Sequence, residues 1–344
     1  MKGSVIALDH IHGKEAAALM VDGQLDDVLI ALPDDVLAPE TILRGKLGRP
    51  VKGLGGAFVD LPDGQRGFLR QTKGLRPGDP VLVQVTGLAE QGKAIPVTTR
   101  LLFKSRYAIV TPDAPGLNIS RQIDDEDLRA ALAEVAKDAM SGADAGLGLI
   151  LRSACATVDD DEIAQDIAQI RTLAEHVLAD QAGSPECLVA APGPHISAWR
   201  DWALPDTLDD TVGSFQRHNV TEAIDSLRAP HVPLPGGAHM QIETTSAFVA
   251  VDVNTGPDTS PAAGLKANIA TVRELPRQLR LRGLGGQVII DFAPCAKKDR
   301  QVLEQSLRAA FRRDGRDTVM AGWTPLGNYE LTRKRDRVAL TACL

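Results

Sequence analysis

The 344-residue sequence holds only four cysteines, Cys155, Cys187, Cys295 and Cys343, and no two of them form a Cys-x-x-Cys pair. That excludes a zinc knuckle, so no structural zinc is expected. Scattered thiols in a chain of this length fit a reducing compartment better than a disulfide framework. No apolar run approaches the roughly 18–20 residues that a membrane-spanning helix needs. The opening MKGSVIALDHIHGKEAA breaks its apolar stretch at Asp9, His10 and His12 and makes a poor secretory leader. A cytoplasmic protein without membrane contact is the expectation. Repeats and low-complexity tracts are also missing. What remains is an ordinary globular composition, 44% hydrophobic and 24% charged, long enough for two or three compact units.

A net charge of −7 argues at first against a polyanionic partner. Its distribution argues otherwise. Residues 271–344 hold 15 Lys/Arg and 8 Asp/Glu, a net of +7, so residues 1–270 carry −14. A basic quarter on an acidic body is the asymmetry expected when one face meets polyphosphate. Solvated helix faces would give the same count.

Strand-like runs at Ser4–Leu8, Ala16–Val21 and near Val28–Leu32, with a turn at Asp22-Gly23, predict an antiparallel meander. Residues 40–102 are Gly-rich with short alternating strands, the size of an OB-type barrel. GGAFVDLPDGQRGFL places a Pro62-Asp63-Gly64 turn between two strands that each carry one Phe. Three- and four-residue apolar spacing predicts helices over Asp124–Met140 and Asp159–Ala179, with a buried strand at Gly146–Ser153 between them. From Gln241 onward strand and helix alternate, an α/β pattern. Its first helix, Leu265–Leu281, should kink or break at Pro276.

Two of the strands in that last stretch end in acid. SAFVAVDVNTG delivers Asp252 near the end of a hydrophobic strand, and Asn254 projects from the same side because strand side chains repeat every second residue. GGQVIID finishes a second apolar strand on Asp291. An aspartate inside an apolar run is costly unless its charge is compensated. Ligands in open α/β sheets gather at the carboxyl ends of the strands. Two converging carboxylates suit Mg²⁺, with Mn²⁺ as a substitute, because such hard cations take one or two carboxylates and keep several waters. A single strand-end Asp is usually a turn cap. Two, with Asn254 in step, point to a site.

FVAVDVNTG, RQLRLRGLGGQVIIDF and LGNYELTRKR (326–335) resemble, in order and spacing, three motifs of the ribonuclease E/G family. The resemblance continues upstream through MVDGQLDDVLI, AFVDLPDGQRGFL, ISRQI and LRSA. It implies an α+β, multi-subdomain fold. In that fold a split ribonuclease H-like subdomain (1–36 and 198–227) carries two insertions, an S1-like OB barrel (37–102) and a 5′-sensor-like subdomain (103–197). An α/β, DNase I-like catalytic subdomain (228–344) follows.

The resemblance further implies a Mg²⁺-dependent endoribonuclease that cuts single-stranded RNA to 5′-phosphate and 3′-hydroxyl ends. Asp252 and Asp291 would hold the metal and Asn254 would assist at the scissile phosphate. Phe58, Phe68, Lys93 and the basic trio Arg333, Lys334 and Arg335 would contact RNA, and Arg152 with Ser153 would hold a 5′-phosphate. The chain departs from the family pattern in places. Phe292-Ala293-Pro294-Cys295 replaces Phe-Ile-Asp-Met, Asp317 stands beside Arg316 where a basic residue is expected, and the zinc-linking Cys-x-x-Cys is missing. A homodimer fits this pattern and a zinc-linked tetramer does not. The departures leave a second reading, an RNA-binding protein that keeps the fold with weak or no cleavage. A hydrolase of small phosphate esters ranks third, since it leaves the barrel and the basic tail unexplained.

Overall fold

The computed structural model describes residues 2–89, 92–260 and 262–344. The fold is mixed α+β and divides into two compact units, one of Met1–Pro33 with Pro205–Leu344 and the other of Asp34–Leu204. The second is therefore an insertion within the first. Among the described residues, no helix is long and apolar enough to cross a membrane.

The inserted unit contains a closed five-stranded barrel consistent with an OB-type domain. Its long strand Ile42–Val51 pairs with both Gly56–Asp60 and Pro80–Val85, and Arg66–Leu69 and Ile95–Thr98 complete the ring. Leu43, Leu47, Ala57, Val59, Leu69 and Val83 fill its interior, the alternate residues expected of a small barrel. The Pro62–Gly64 turn forms where the sequence places it. The unit's second sheet runs in the order Gly116–Ile119, Gly148–Leu151, Ala108–Thr111, Phe103–Lys104. Helices Glu126–Ala139 and Asp160–Ala179 bury Leu132, Ala136, Ile163 and Ile167 in the same core as that sheet. Asp125 caps the first helix by accepting from the Asp127 and Leu128 amides, both at 3.0 Å.

The outer unit begins with the expected meander, Ser4–Ile11, Lys14–Val21 and Gln24–Ile30, to which Thr207–Asp209 adds a parallel edge strand. Its larger sheet has six strands in the order His231–Pro233, His239–Thr244, Phe248–Asn254, Gly286–Asp291, Tyr329–Arg333, Thr318–Trp323. Only Phe248–Asn254 and Gly286–Asp291 run parallel, joined by the helix Ala263–Leu281 as a crossover. That helix does not break at Pro276. Pro276 removes one backbone donor, but Ala267, Thr271, Val272, Leu275 and Leu279 are buried along its length, and that packing outweighs a single missing hydrogen bond.

Candidate active site

Alternation along the six-stranded sheet separates two faces. Val249, Val251, Val253, Val288, Ile290 and Leu331 are buried in one core with Leu275 and Leu279 of one helix and Leu303 and Leu307 of another, Arg300–Asp314. The intervening side chains, Asp252, Gln287, Asp291, Glu330 and Thr332, are exposed. One face is thus helix-covered, and the other is open and polar.

Asp252 and Asp291 are register partners on the two parallel strands. Their Cα atoms therefore lie about 4.8 Å apart, with both side chains on the open face. The Asn254 Nδ2 donates to Asp252 Oδ2 at 2.7 Å, which fixes one carboxylate oxygen. Both acids are exposed rather than enclosed in the apolar run, so desolvation does not set their chemistry as the sequence suggests. Among the described residues, no Lys or Arg lies within ion-pair distance of either carboxylate. No group of three or more His, Cys, Asp and Glu gathers as a ligand cage there either. The donor set is two hard oxygens side by side and open to water, which fits a cation of the Mg²⁺ type.

The loop after Asp291 is anchored from the crossover helix. Asn268, fully buried, donates to the Ala293 carbonyl and accepts from the Ala293 amide, both at 2.9 Å. A Cβ on Gly264 would come within 2.0 Å of the Pro294 oxygen, so only glycine lets the helix start approach this loop. Gly256, at φ 63°, has the same restriction against the Gly237 oxygen, and it ties the end of the Asp252 strand to the preceding turn.

The other candidate residues fare differently. Phe58 and Phe68 are paired across neighbouring barrel strands. They face away from the buried Ala57, Val59 and Leu69, with ring centroids 5.5 Å apart and the Arg66 guanidinium 5.2 Å over Phe58. Lys93 is exposed on the loop before Ile95–Thr98. Arg152 is spent internally: its guanidinium bonds the carbonyls of Ser105 (2.7 Å) and Arg200 (3.0 Å) and the Asp201 carboxylate (2.8 Å). Burial works to raise the Asp201 carboxyl, but Arg200 and Arg152 outweigh it and hold it below the usual range. Ser153 is exposed. Arg316 likewise pairs with Asp336 at 2.8 Å.

The basic trio needs correction. Arg333 is 2% exposed and bonds Asp314 at 2.7 Å, because strand alternation turns it into the core, so it does not offer its charge to an outside phosphate. Lys334 is exposed and Arg335 half-buried. The charge asymmetry along the chain is also partly closed within the outer unit. Arg280 bridges Asp26 and Asp314, and Arg337 is paired with Asp27. Burial works against ionisation of Asp27, but Arg337 and Arg280 hold its carboxyl below the ordinary value. Lys297 and Lys298, a few residues past Asp291, stay exposed.

Three polar residues beside the acids escaped the sequence reading. Gln241 is the register partner of Asp252, and His239 that of Asn254. His231 stacks on His239 with centroids 4.8 Å apart. The only hint was histidine on both sides of the Pro-Gly-Gly turn (235–237), and placing them required the hairpin register.

An α+β chain whose larger sheet brings two exposed aspartates together at its carboxyl edge belongs to the class of proteins with an acidic strand-end site. The family model of the "Ribonuclease E/G family" matches residues 103–212 and 203–336, more than half of the sequence, and the chain belongs to that family. It is 27% identical to "Ribonuclease E" of Synechocystis sp. over 361 residues, covering 91% of this chain and 52% of that protein. To "Ribonuclease E" of Nostoc sp. it is 25% identical, over 97% of this chain and 56% of that one. It is 27% identical to "Ribonuclease G" of Escherichia coli (strain K12), covering 87% and 73% respectively. The chain thus spans about half the length of the two ribonuclease E relatives.

Proposed function

We propose that this chain is an endoribonuclease of RNA processing or decay, dependent on Mg²⁺, that hydrolyses single-stranded RNA to 5′-phosphate and 3′-hydroxyl ends. The observation that carries the reading is the in-register pair Asp252 and Asp291, side by side on the open face with no Lys or Arg among the described residues within ion-pair distance. The names and lengths of alignment of its relatives support the substrate class.

Asp252 and Asp291 would hold the cation. When bound, it would supply Lewis-acid charge at a phosphodiester oxygen and acidity to a nearby water. Asn254 keeps one oxygen of Asp252 in place through its amide, leaving its own carbonyl oxygen free to accept from the attacking water or a ribose hydroxyl. Asn268 holds the Ala293 backbone and so fixes the loop that leaves Asp291. Lys297 and Lys298 on that loop, with Lys334 and Arg335 on another, are the cations proposed to meet backbone phosphate. Phe58 and Phe68 would stack bases, each worth roughly 1–3 kcal/mol, with Lys93 on a neighbouring phosphate. Ser153 and Arg152 hold a 5′-phosphate in this reading only if Arg152 gives up Asp201. The same reading takes the Met1–Pro33 and Thr207–Asp209 sheet as ribonuclease H-like and the six-stranded sheet as DNase I-like.

A 5′-labelled single-stranded RNA incubated with Mg²⁺ tests the activity. Cleavage by the native chain, lost on chelation and in Asp252→Asn and Asp291→Asn, is the expected result. RNA retention without cleavage under any divalent ion would replace this reading by that of a binding protein.

A further inference from the structure

The inserted unit carries a cavity of about 350 Å³ that none of the residues discussed for RNA cleavage lines. Its walls include Phe103, Lys104, Arg106, Ile170, Ile196 and Trp199. Large apolar side chains crowd its rim: Ile196 is 63% exposed, Trp199 45% and the neighbouring Leu173 37%. Such a grouping of exposed apolar residues around a concavity marks a binding surface more often than a bare protein face.

Three charges of the wall are matched with one another, and two, Asp166 and Arg106, have no ion-pair partner among the described residues. Glu40 takes Lys104 at 2.6 Å and Arg200 at 2.7 Å. Asp166 accepts the Ser105 hydroxyl and the Tyr107 amide. Arg106 is only 8% exposed, yet among the described residues no carboxylate lies within ion-pair distance of it. Its guanidinium lies 4.0 Å from the Trp199 ring centroid and 5.8 Å from that of Tyr107. Arg106 also hydrogen-bonds the Tyr107 side chain, and a guanidinium, with five N–H donors, has others to offer an anion that arrives from outside.

We propose that this cavity binds a nucleoside monophosphate, with its base against Trp199, Ile196 and Leu173 and its phosphate on Arg106. A purely apolar ligand would leave the Arg106 charge uncompensated in a drier setting, and a bare phosphate would leave the apolar rim uncovered. The volume falls at the lower end of small-molecule pockets, roughly 300–1,000 Å³. The nucleotide has two sources with one chemistry, a free mononucleotide or a unit of a single strand. Asp252, Asp291 and Arg152 do not line the site, although Arg152 holds the backbone carbonyls of two of its wall residues, Ser105 and Arg200.

Tryptophan fluorescence of the full chain, titrated with AMP, tests this. Saturable quenching is expected, with adenosine and inorganic phosphate each binding at least about tenfold more weakly. Arg106→Gln should weaken AMP by a similar factor. Ile196→Glu, on the exposed rim and without cost to the fold, should do the same by opposing the phosphate and crowding the base. Trp199→Phe should remove the optical response while calorimetry still records binding. Asp252→Asn should bind AMP like the native chain, so that loss of cleavage and loss of this site are told apart. Oligoadenylate binding tighter than AMP assigns the pocket to a strand, and the reverse order assigns it to the free nucleotide; both uphold it. No saturable AMP signal at millimolar concentration overturns the proposal. Equal AMP affinity in Ile196→Glu and the native chain does so as well.

Discussion

The outer unit holds two groups of aspartates that the same chain treats in opposite ways. Asp27 and Asp314 are surrounded by arginines: Arg337 and Arg280 on the first, Arg280 and Arg333 on the second, with side-chain exposures of 9% and 2% for the two acids. Asp252 and Asp291 sit on the open sheet face with only an amide from Asn254 between them. Residues 271–344 hold 15 Lys/Arg, yet among the described residues no Lys or Arg lies within ion-pair distance of Asp252 or Asp291. The first group neutralises itself and holds the fold together. The second has no ion-pair partner among the described residues.

Several substitutions would break or sharpen that contrast. The largest effect should come from Asp314→Asn, which strips both Arg280 and Arg333 of a buried partner. Breaking such a pair costs about 3–5 kcal/mol, read as a lower denaturation midpoint at unchanged m value. Asp252→Asn and Asp291→Asn should reverse the pattern. Cleavage should fall roughly 10²- to 10³-fold, the scale of losing one electrostatic contact to a transition state, while stability stays within about 0.5 kcal/mol. If either variant unfolds as readily as Asp314→Asn, the acids are structural and the contrast fails.

Asn268→Ala lies between the two cases. It leaves the Ala293 amide and carbonyl buried without partners, at about 1–3 kcal/mol for each group. It should also lower cleavage by displacing the loop after Asp291, so a loss of stability at full turnover would refute the anchoring role.

Asp27→Asn breaks a pair of the same kind at neutral pH, and the smallest effect is its signature on the acid limb. The folded-state pKa of Asp27 lies below its unfolded value of about 3.9. Its stabilisation is therefore fully present above that value and lost as pH falls through the folded pKa. Asp27→Asn should remove up to about 1.4 kcal/mol per pH unit from the acid limb, visible in urea titrations between pH 5 and pH 2 on the scale of roughly one proton.

How much of this was legible in the sequence follows from how local each feature is. The strands ending in Asp252 and Asp291, the Pro62–Gly64 turn and the two helices of the inserted unit are written in short-range apolar spacing and turn chemistry. Strand register is not local, so the sequence could suggest that Asp252 and Asp291 meet but could not bring Gln241 or His239 beside them. Charge counts misled most. Arg333 reads as a surface cation in LTRKR, but alternation in an antiparallel strand turns it inward, and Asp27, some 300 residues upstream, meets Arg337. The break expected at Pro276 does not occur, because core packing along the rest of its helix outweighs a local rule.

The parallel edge strand Thr207–Asp209 has a consequence for synthesis. It completes a sheet begun by Ser4–Ile11, and the core beneath that sheet also uses Phe215, Val220 and Leu340. On the ribosome, residues 34–204 emerge as a continuous stretch and can condense at once, whereas the leading meander must wait with Val5, Ala16 and Met20 uncovered until the trailing segment arrives. Stalling translation between these two points would leave a nascent chain with one finished body and one sticky, half-built sheet, a natural client for a holding chaperone.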